Sequence, residues 1–213
     1  MVRKLVLALS VTLLALHSSG CRREVKHPPG ILIAGQPVQT SMGKSVGWEE
    51  RGYRITPLAR FSLQARVIGV EGYWFDRGAD LSPIDFVLGW GPMSDSKILD
   101  ELTITQGGRW YRWRPKEFPP VPVETIVSHS ANMHMVPADD KVARLLKSVR
   151  PGNVVALGGY LIAVEAKDGW RWQSSLSRGD SGGGACELVW VKSLMIDQRP
   201  GTQSTLSSST DFD

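Results

Sequence analysis

Hydrophobic and polar residues alternate through the middle of the chain in the pattern of half-buried β-strands. Every second residue from 61 to 67 is apolar, so one face of the segment 61–68 is expected to be buried. Residues 85–90 form a second apolar strand, which a Gly-Pro pair ends. A Gly-Gly pair separates residues 102–106 from 109–114, and this arrangement predicts a β-hairpin.

Four further strands are predicted towards the C-terminus. Residues 123–129 are rich in Val, Thr and Ile, and residues 154–165 form a long apolar run with a glycine pair inside it. A Lys-Asp-Gly turn separates this run from residues 170–176. A glycine-rich loop at 179–184 then leads to the last strand at 186–196.

Two short helices are predicted between the strands. Ser94 or Asp95 can cap a helix that ends near residue 102. The clearer helix covers 139–149, where Asp139 stands at the cap position and a Pro-Gly pair follows the end. Its apolar residues recur at i, i+3, i+4 and i+7 from Val142, so they form one stripe.

Together these elements predict a mainly β (α+β) domain over residues 53–196. We expect a small OB-like β-barrel or a curved antiparallel sheet with two short helices. The order of helix, long strand with a glycine break, hairpin and last strand resembles the back half of an OB-type barrel. The chain has 213 residues and is 42% hydrophobic, which suffices for one core. A fold class does not fix a function, so the function has to be argued from particular residues.

Both ends of the chain are predicted to lie outside this domain. Residues 1–20 have the pattern of a secretory signal peptide, in which Arg3 and Lys4 precede an apolar run too short to span a bilayer. Residues 21–52 are rich in Pro and Gly and predict a tether. Residues 197–213 are rich in Ser and Thr and predict a disordered tail.

Cys21 directly follows three small residues, an arrangement that resembles the bacterial lipobox. The resemblance implies lipid attachment at Cys21, and Arg22 in the next position favours the outer membrane. We therefore expect an exported lipoprotein that faces the periplasm. In the alternative, ordinary cleavage leaves a Cys21 thiol that an oxidising periplasm would allow to pair with Cys186.

Charge and cysteine count exclude several classes of protein. The formal net charge is +4, and it falls to +2 once Arg3 and Lys4 are removed with the signal peptide. This charge is too small for a nucleic-acid footprint, and export makes nucleic acid a poor partner. Two cysteines exclude a disulfide scaffold and a four-cysteine zinc site.

Residues 179–183 read Gly-Asp-Ser-Gly-Gly, a string that resembles the nucleophile loop of trypsin-like serine peptidases. The catalytic candidates are then Ser181, Asp180 and His134. The rest of that family's pattern is missing, including the Thr-Ala-Ala-His-Cys setting of its histidine. A serine peptidase-like hydrolase is kept as an alternative, while a loop of small residues between two strands is the preferred interpretation.

A segment rich in His and Met raises a second alternative. His129, Met133, His134 and Met135 carry soft ligands that suit Cu(I) or Ag(I). In residue types they resemble the small-barrel periplasmic copper and silver carriers. In the other interpretation, which we prefer, the methionines fill the core, the histidines form local hydrogen bonds and no cofactor is bound.

Tryptophan is abundant, with eight residues. Trp110, Arg112 and Trp113 lie on the second strand of the predicted hairpin and are candidates for a ligand surface that stacks on sugars, lipid headgroups or bases. Trp170 and Trp172 share one face of a strand. The alternative is that the tryptophans fill the core or cover the mouth of a small barrel.

Four aspartates surround the Gly-Trp-Gly-Pro segment at 89–92. A carboxylate pair across a groove would suit acid–base chemistry, but the spacing does not bring any two together. Turn and cap roles are therefore predicted for Asp80, Asp85, Asp95 and Asp100.

Residues 53–196 resemble a family of small bacterial exported proteins of unknown function. The resemblance rests on the stretches 88–93, 129–134, 158–161 and 174–178 with 184–187. It implies no activity, ligand or catalytic residue. Because no motif supplies a nucleophile, a base and an orienting group together, the sequence predicts a non-catalytic binding or assembly module. An envelope protein or a glycan is the expected partner.

Overall fold

The computed structural model describes residues 24–177 and 186–197, and β-strands dominate this part of the chain. The strands are β1 (Val38–Ser41), β2 (Trp48–Glu50), β3 (Tyr53–Gly72), β4 (Ile84–Gly89), β5 (Leu102–Gly107), β6 (Trp110–Pro115), β7 (Ser130–Pro137), β8 (Val154–Ala166), β9 (Arg171–Gln173) and β10 (Glu187–Asp197). The helices are α1 (Ser96–Leu99), α2 (Val123–Ser128) and α3 (Asp140–Ser148), and a 3-10 helix covers Gly91–Ser94.

Eight of these strands form one curved sheet in the order β1-β3-β4-β7-β10-β8-β9, with β2 also on β3. The curvature lets the 20-residue strand β3 pair with β8 from Tyr53 to Arg66 and with β4 from Arg66 to Gly72. The prediction of a mainly β fold is confirmed, in its curved-sheet form, because the sheet does not close into a clear barrel. The one departure from antiparallel pairing among the described strands is between β7 and β10, which are parallel.

Alternation along β3 builds the core, as the sequence predicts. The odd-numbered residues from Tyr53 to Val67 are all buried. Neighbouring residues on β7 enter two different apolar clusters, since Met135 packs with Phe61 whereas Val136 packs with Ile55. Both faces of the sheet are therefore covered around β7, so its residues do not alternate between buried and exposed positions.

The glycine pair predicted as a break in the long strand marks a close approach of two backbones. A Cβ atom on Gly159 of β8 would lie 1.8 Å from the carbonyl oxygen of Trp190 on β10. Only glycine fits there without moving one of the strands.

Two helices agree with their predicted caps. The Asp139 side chain accepts a hydrogen bond from the amide of Val142 at 2.8 Å and so caps α3. Asp95 accepts one from the amide of Lys97 and caps α1. These contacts satisfy amide groups that have no partner inside the first turn of a helix.

The predicted strand at 123–129 is wrong, because Val123–Ser128 is the helix α2. Pro122 precedes the helix with φ −51°, and Glu124 lies in the first turn, where its charge suits the helix dipole. Ile126 is the buried residue of α2 and packs in a third apolar cluster with Met93. Of the β-branched residues that suggested a strand, Ile126 is buried, Thr125 and Val127 are half-buried, and Val123 is exposed.

Residues 24–50 pack against the domain, which corrects the expected tether over 21–52 in its described part. Strands β1 and β2 both pair with β3. The hydroxyl of Ser94 accepts hydrogen bonds from the amides of Leu32 and Ile33, each at 3.1 Å. Pro and Gly prevent a periodic pattern here, yet the amides find partners on the domain and fix the segment.

Several predictions fall outside the described residues. They are the signal peptide at 1–20, lipid attachment at Cys21, and the tail from residue 198 onwards. Within residues 24–177 and 186–197, no helix has the length and hydropathy needed to cross a bilayer.

The predicted β5–β6 hairpin is confirmed, and its turn contributes Arg109 to the pocket described below. Gly108 and Arg109 form the turn with positive φ angles of 60° and 70°. The amide of Arg109 donates to the hydroxyl of Tyr73 at 2.9 Å, so the turn lies against the loop of residues 73–83 that joins β3 to β4. This contact holds Arg109 beside the loop that precedes β4.

Candidate functional site

A pocket of about 390 Å³ opens where the loop 73–83, the β5–β6 turn and strand β9 meet. This size lies within the range of small-molecule sites in proteins. Its wall combines three tryptophans, three arginines, an imidazole and a thiol, and the lining residues are Asp76, Arg77, Gly78, Arg109, Trp110, His134, Trp170, Arg171, Trp172, Gln173 and Cys186.

Two tryptophans of the wall are held in place by other side chains. The rings of Trp170 and Trp172 meet edge to face with centroids 5.9 Å apart. Trp172 also lies 4.8 Å from the ring of His134, and its edge packs so closely on Gly78 that a Cβ atom there would come within 2.7 Å. The two indole rings therefore contact each other, the imidazole of His134 and the loop 73–83.

A buried carboxylate lies behind the pocket wall. Asp85 of β4 is fully buried and stands directly opposite His134 of β7 in the strand register. Its Oδ1 accepts a hydrogen bond from Nη1 of Arg109 at 2.8 Å, and its Oδ2 lies 2.9 Å from Nδ1 of His134. Burial of a lone carboxylate is costly, and the guanidinium of Arg109 supplies the opposite charge beside it.

The contact between His134 and Asp85 is close without being an ideal hydrogen bond. The Nδ1 and Oδ2 atoms are within ion-pair distance, but the ring N–H does not point at the oxygen closely enough to form an aligned bond. The contact is therefore an electrostatic one between Asp85 and the imidazole ring. The Nε2 atom makes no hydrogen bond to any residue of 24–177 or 186–197, and the ring lines the pocket.

Arg109 links the pocket to the buried carboxylate. Besides Asp85, its guanidinium binds Asp76 with Nη2–Oδ1 at 2.8 Å and donates to the carbonyl of Ser82 at 2.9 Å. The guanidinium also lies 3.8 Å from the ring centroid of Tyr73, a cation–π distance. Burial raises the pKa of Tyr73 to about 12, so its hydroxyl stays neutral and can accept the Arg109 amide.

The positive charges around the pocket are matched by negative ones. Arg77 forms an ion pair with Asp168, and this hydrogen bond holds the pKa of Asp168 below its usual value. Arg171 pairs with Glu165 at 2.7 Å. With Arg109 paired to Asp76 and Asp85, every arginine of the pocket has a carboxylate partner. The pocket therefore favours a polar ligand without net charge over an anion.

A second polar group reaches the pocket from the start of β10. The Sγ atom of Cys186 lies 3.8 Å from the carbonyl oxygen of Arg109. The Nδ2 atom of Asn132 donates to the same carbonyl at 3.1 Å and lies 3.4 Å from Oδ2 of Asp85. Asn132 in turn accepts a hydrogen bond from Gln106 at 2.8 Å. Cys186 and the Asp85 carboxylate thus belong to one connected polar cluster.

The structure does not bring the four predicted copper ligands together. Met133 and Met135 are fully buried in the core, whereas His134 points to the opposite face of β7. Nδ1 of His129 lies 2.9 Å from the carbonyl of Thr125, and Nε2 lies 3.0 Å from the Gln36 side chain. In residues 24–177 and 186–197, no three His, Cys, Asp or Glu side chains are grouped as metal ligands would be.

The three predicted ligand-surface residues of the hairpin separate in the structure. Trp110 lines the pocket. Arg112 is exposed, and Trp113 packs against the third apolar cluster beside Ile126. Among the catalytic candidates, His134 lies in the pocket wall, while Asp180 and Ser181 fall outside the described residues.

Sequence reasoning missed the most important member of the site. Asp85 was expected in a turn or cap role and is instead the buried partner of Arg109 and His134. The sequence does contain one sign of this role, because Asp85 is a charged residue within the otherwise apolar strand 84–89.

Comparison of the chain with protein-family models, with curated proteins and with solved structures gave no significant match.

Proposed function

We propose that the protein is an exported ligand-binding module of the cell envelope, whose pocket takes a small uncharged saccharide. The observation that carries the proposal is the aromatic wall of Trp110, Trp170 and Trp172 around a volume of about 390 Å³. An indole face packs well on the C–H face of a sugar ring, and surrounding polar groups can bind its hydroxyls.

The charge balance of the pocket supports a neutral sugar rather than a phosphate or a carboxylate. Arg77, Arg109 and Arg171 each have a carboxylate within ion-pair distance. An anion would have to displace one of these partners, whereas a hydroxyl can accept from a guanidinium N–H that the pair leaves unused. Gln173 at the rim offers a further donor and acceptor.

The location in the envelope follows from the N-terminal sequence. Arg3, Lys4 and the apolar run after them predict export, and Cys21 predicts a lipid that anchors the module in the outer membrane. Peptidoglycan would then be the nearest abundant glycan, and its N-acetylglucosamine unit has no charge.

Tryptophan fluorescence tests the proposal. We expect short N-acetylglucosamine oligosaccharides to change the emission of the full chain with saturation, and Trp172→Ala to abolish the change. Trp113→Ala is the matched control, because Trp113 lies outside the pocket and should leave binding intact. No response in the wild-type chain, or an unchanged response in Trp172→Ala, would contradict the proposal.

A further inference from the structure

The pocket presents a thiol and an imidazole to the same space. Cys186 and His134 both line it, although they lie on different strands and are 52 positions apart in the sequence. His134 is 3% exposed, and its Nε2 atom has no hydrogen bond to a described residue. A buried imidazole in the wall of a pocket, with one nitrogen close to a carboxylate, has the surroundings of a general base.

We propose that this pocket is an acyl-transfer site in which Cys186 is the nucleophile, His134 its base and Asp85 the residue that positions His134. The proposal deepens the proposed function, because it makes the bound saccharide an O-acylated one and assigns chemistry to the same pocket.

The strand register places the two reacting side chains on one face of the sheet. Strands β7 and β10 are parallel neighbours, and Leu188 is paired with His134. Cys186 precedes Leu188 by two positions, so its side chain projects to the same face as that of His134. Its Sγ atom reaches the carbonyl of Arg109 there, at the edge of the pocket.

Asp85 has the position that an orienting carboxylate requires. Its Oδ2 lies 2.9 Å from Nδ1, so the carboxylate favours the tautomer that carries its proton on Nδ1 and leaves Nε2 as the acceptor. Packing of the His134 ring on Trp172 at 4.8 Å restricts the remaining rotation of the imidazole. Asp85 itself is fully buried and is not among the residues that line the pocket.

The chemistry balances without an oxidant or a metal. Nε2 of His134 takes the Sγ proton of Cys186, and the thiolate attacks the carbonyl carbon of an ester. The ester C–O bond breaks, the leaving alkoxide receives the proton from His134, and a thioester on Cys186 remains. Water then attacks the thioester with His134 again as the base, which gives a carboxylic acid and restores the thiol.

The test uses 4-nitrophenyl acetate with the full chain. We expect a burst of about one 4-nitrophenolate per chain and an acetyl group on the peptide that contains Cys186. Cys186→Ala should abolish both signals, and His134→Asn should slow the burst by about 100-fold or more. Cys21→Ser is the matched control, since it removes the other cysteine and should leave the burst unchanged.

Three outcomes would overturn the proposal. They are an acetyl group on Ser181 or Cys21 instead of Cys186, a full burst in Cys186→Ala, and a wild-type rate in His134→Asn. If His134→Asn does not fold, iodoacetamide alkylation of the wild-type chain decides the question. A base-assisted Cys186 should react well below pH 8.5, whereas a thiol without a base follows the ordinary pKa near that value.

The two proposals can fail independently. The acetyl ester carries no sugar, so a burst without oligosaccharide binding would contradict the saccharide while keeping the thiol chemistry. Oligosaccharide binding without a burst or Cys186 reactivity would leave a binding module and contradict the acyl transfer.

Discussion

Asp85 and His134 face each other across the β4–β7 pair, with Oδ2 of the carboxylate 2.9 Å from Nδ1 of the ring. The contact requires that the register between the two strands be correct to the residue, because a slip of one position would put the two side chains on opposite faces of the sheet. The β5–β6 turn brings Arg109 to the other carboxylate oxygen, with Nη1 at 2.8 Å from Oδ1. The stability of the sheet and the geometry of the pocket therefore depend on one buried carboxylate.

The first prediction concerns the cost of removing that charge. Asp85→Asn should lower the free energy of unfolding by about 3–5 kcal/mol, because it leaves a largely buried Arg109 without its closest buried counter-charge. Urea denaturation followed by circular dichroism measures the change. Asp168→Asn is the control, since the Asp168–Arg77 pair is exposed to solvent and its loss should have a far smaller effect. Equal effects of the two substitutions would contradict the prediction.

A second prediction tests the close approach of β8 and β10. Gly159→Ala should destabilise the protein by about 1–3 kcal/mol, because its Cβ would lie 1.8 Å from the Trp190 carbonyl and a strand must shift. Gly107→Ala has open space around its Cβ position and should change stability by less than about 0.5 kcal/mol. Thermal unfolding of both variants provides the comparison, and a neutral Gly159→Ala would show that the two strands can separate there at little cost.

The third prediction is a dependence of stability on alkaline pH. Burial raises the pKa of Tyr73 to about 12, above the value near 10 in an unfolded chain. The folded protein therefore keeps a proton that the unfolded chain loses, and this contribution is complete below pH 10 and is lost as the pH rises towards 12. Melting temperatures of the wild type should fall more steeply over this range than those of Tyr73→Phe. Parallel curves would show that Tyr73 does not contribute to the alkaline loss.

A fourth prediction addresses the N-terminal segment. Ser94→Ala removes the acceptor of the Leu32 and Ile33 amides, so it should cost about 1–3 kcal/mol and loosen the segment from the domain. Trypsin should then cut after Lys26 faster than in the wild type, and timed digestion with mass spectrometry will detect it. Ser148→Ala is the control, because its exposed hydroxyl bonds only within α3. Rapid cleavage at Lys26 in the wild type would instead support a tether.

Local patterns predicted much of the fold. The alternation along β3, the Asp139 cap of α3 and the Gly-Gly hairpin each depend on residues close in sequence, and the structure agrees with all three. The failure at α2 has a local cause too, since six residues with one buried position do not distinguish a helix from a strand.

The site could not be predicted in the same way, because its members meet through long-range pairing. Asp85 and His134 are 49 positions apart, and only the register of β4 with β7 brings them together. The pair Trp170 and Trp172 was predicted to share a face, but nothing in its spacing showed that His134 would pack against it. The sequence therefore showed which residue types are present, but not that they meet in one pocket.

The fixed N-terminal segment has a consequence for how far the protein can reach. If Cys21 carries a lipid, three peptide units separate it from Glu24, where the attachment to the domain begins, and they span at most about 10 Å. A flexible linker of about thirty residues would let a lipoprotein reach far into the periplasm. This domain would instead stay close to the membrane that anchors it. Its ligands would then have to come to that surface, and the pocket would sample only the glycans and acyl esters within a molecular diameter of the bilayer.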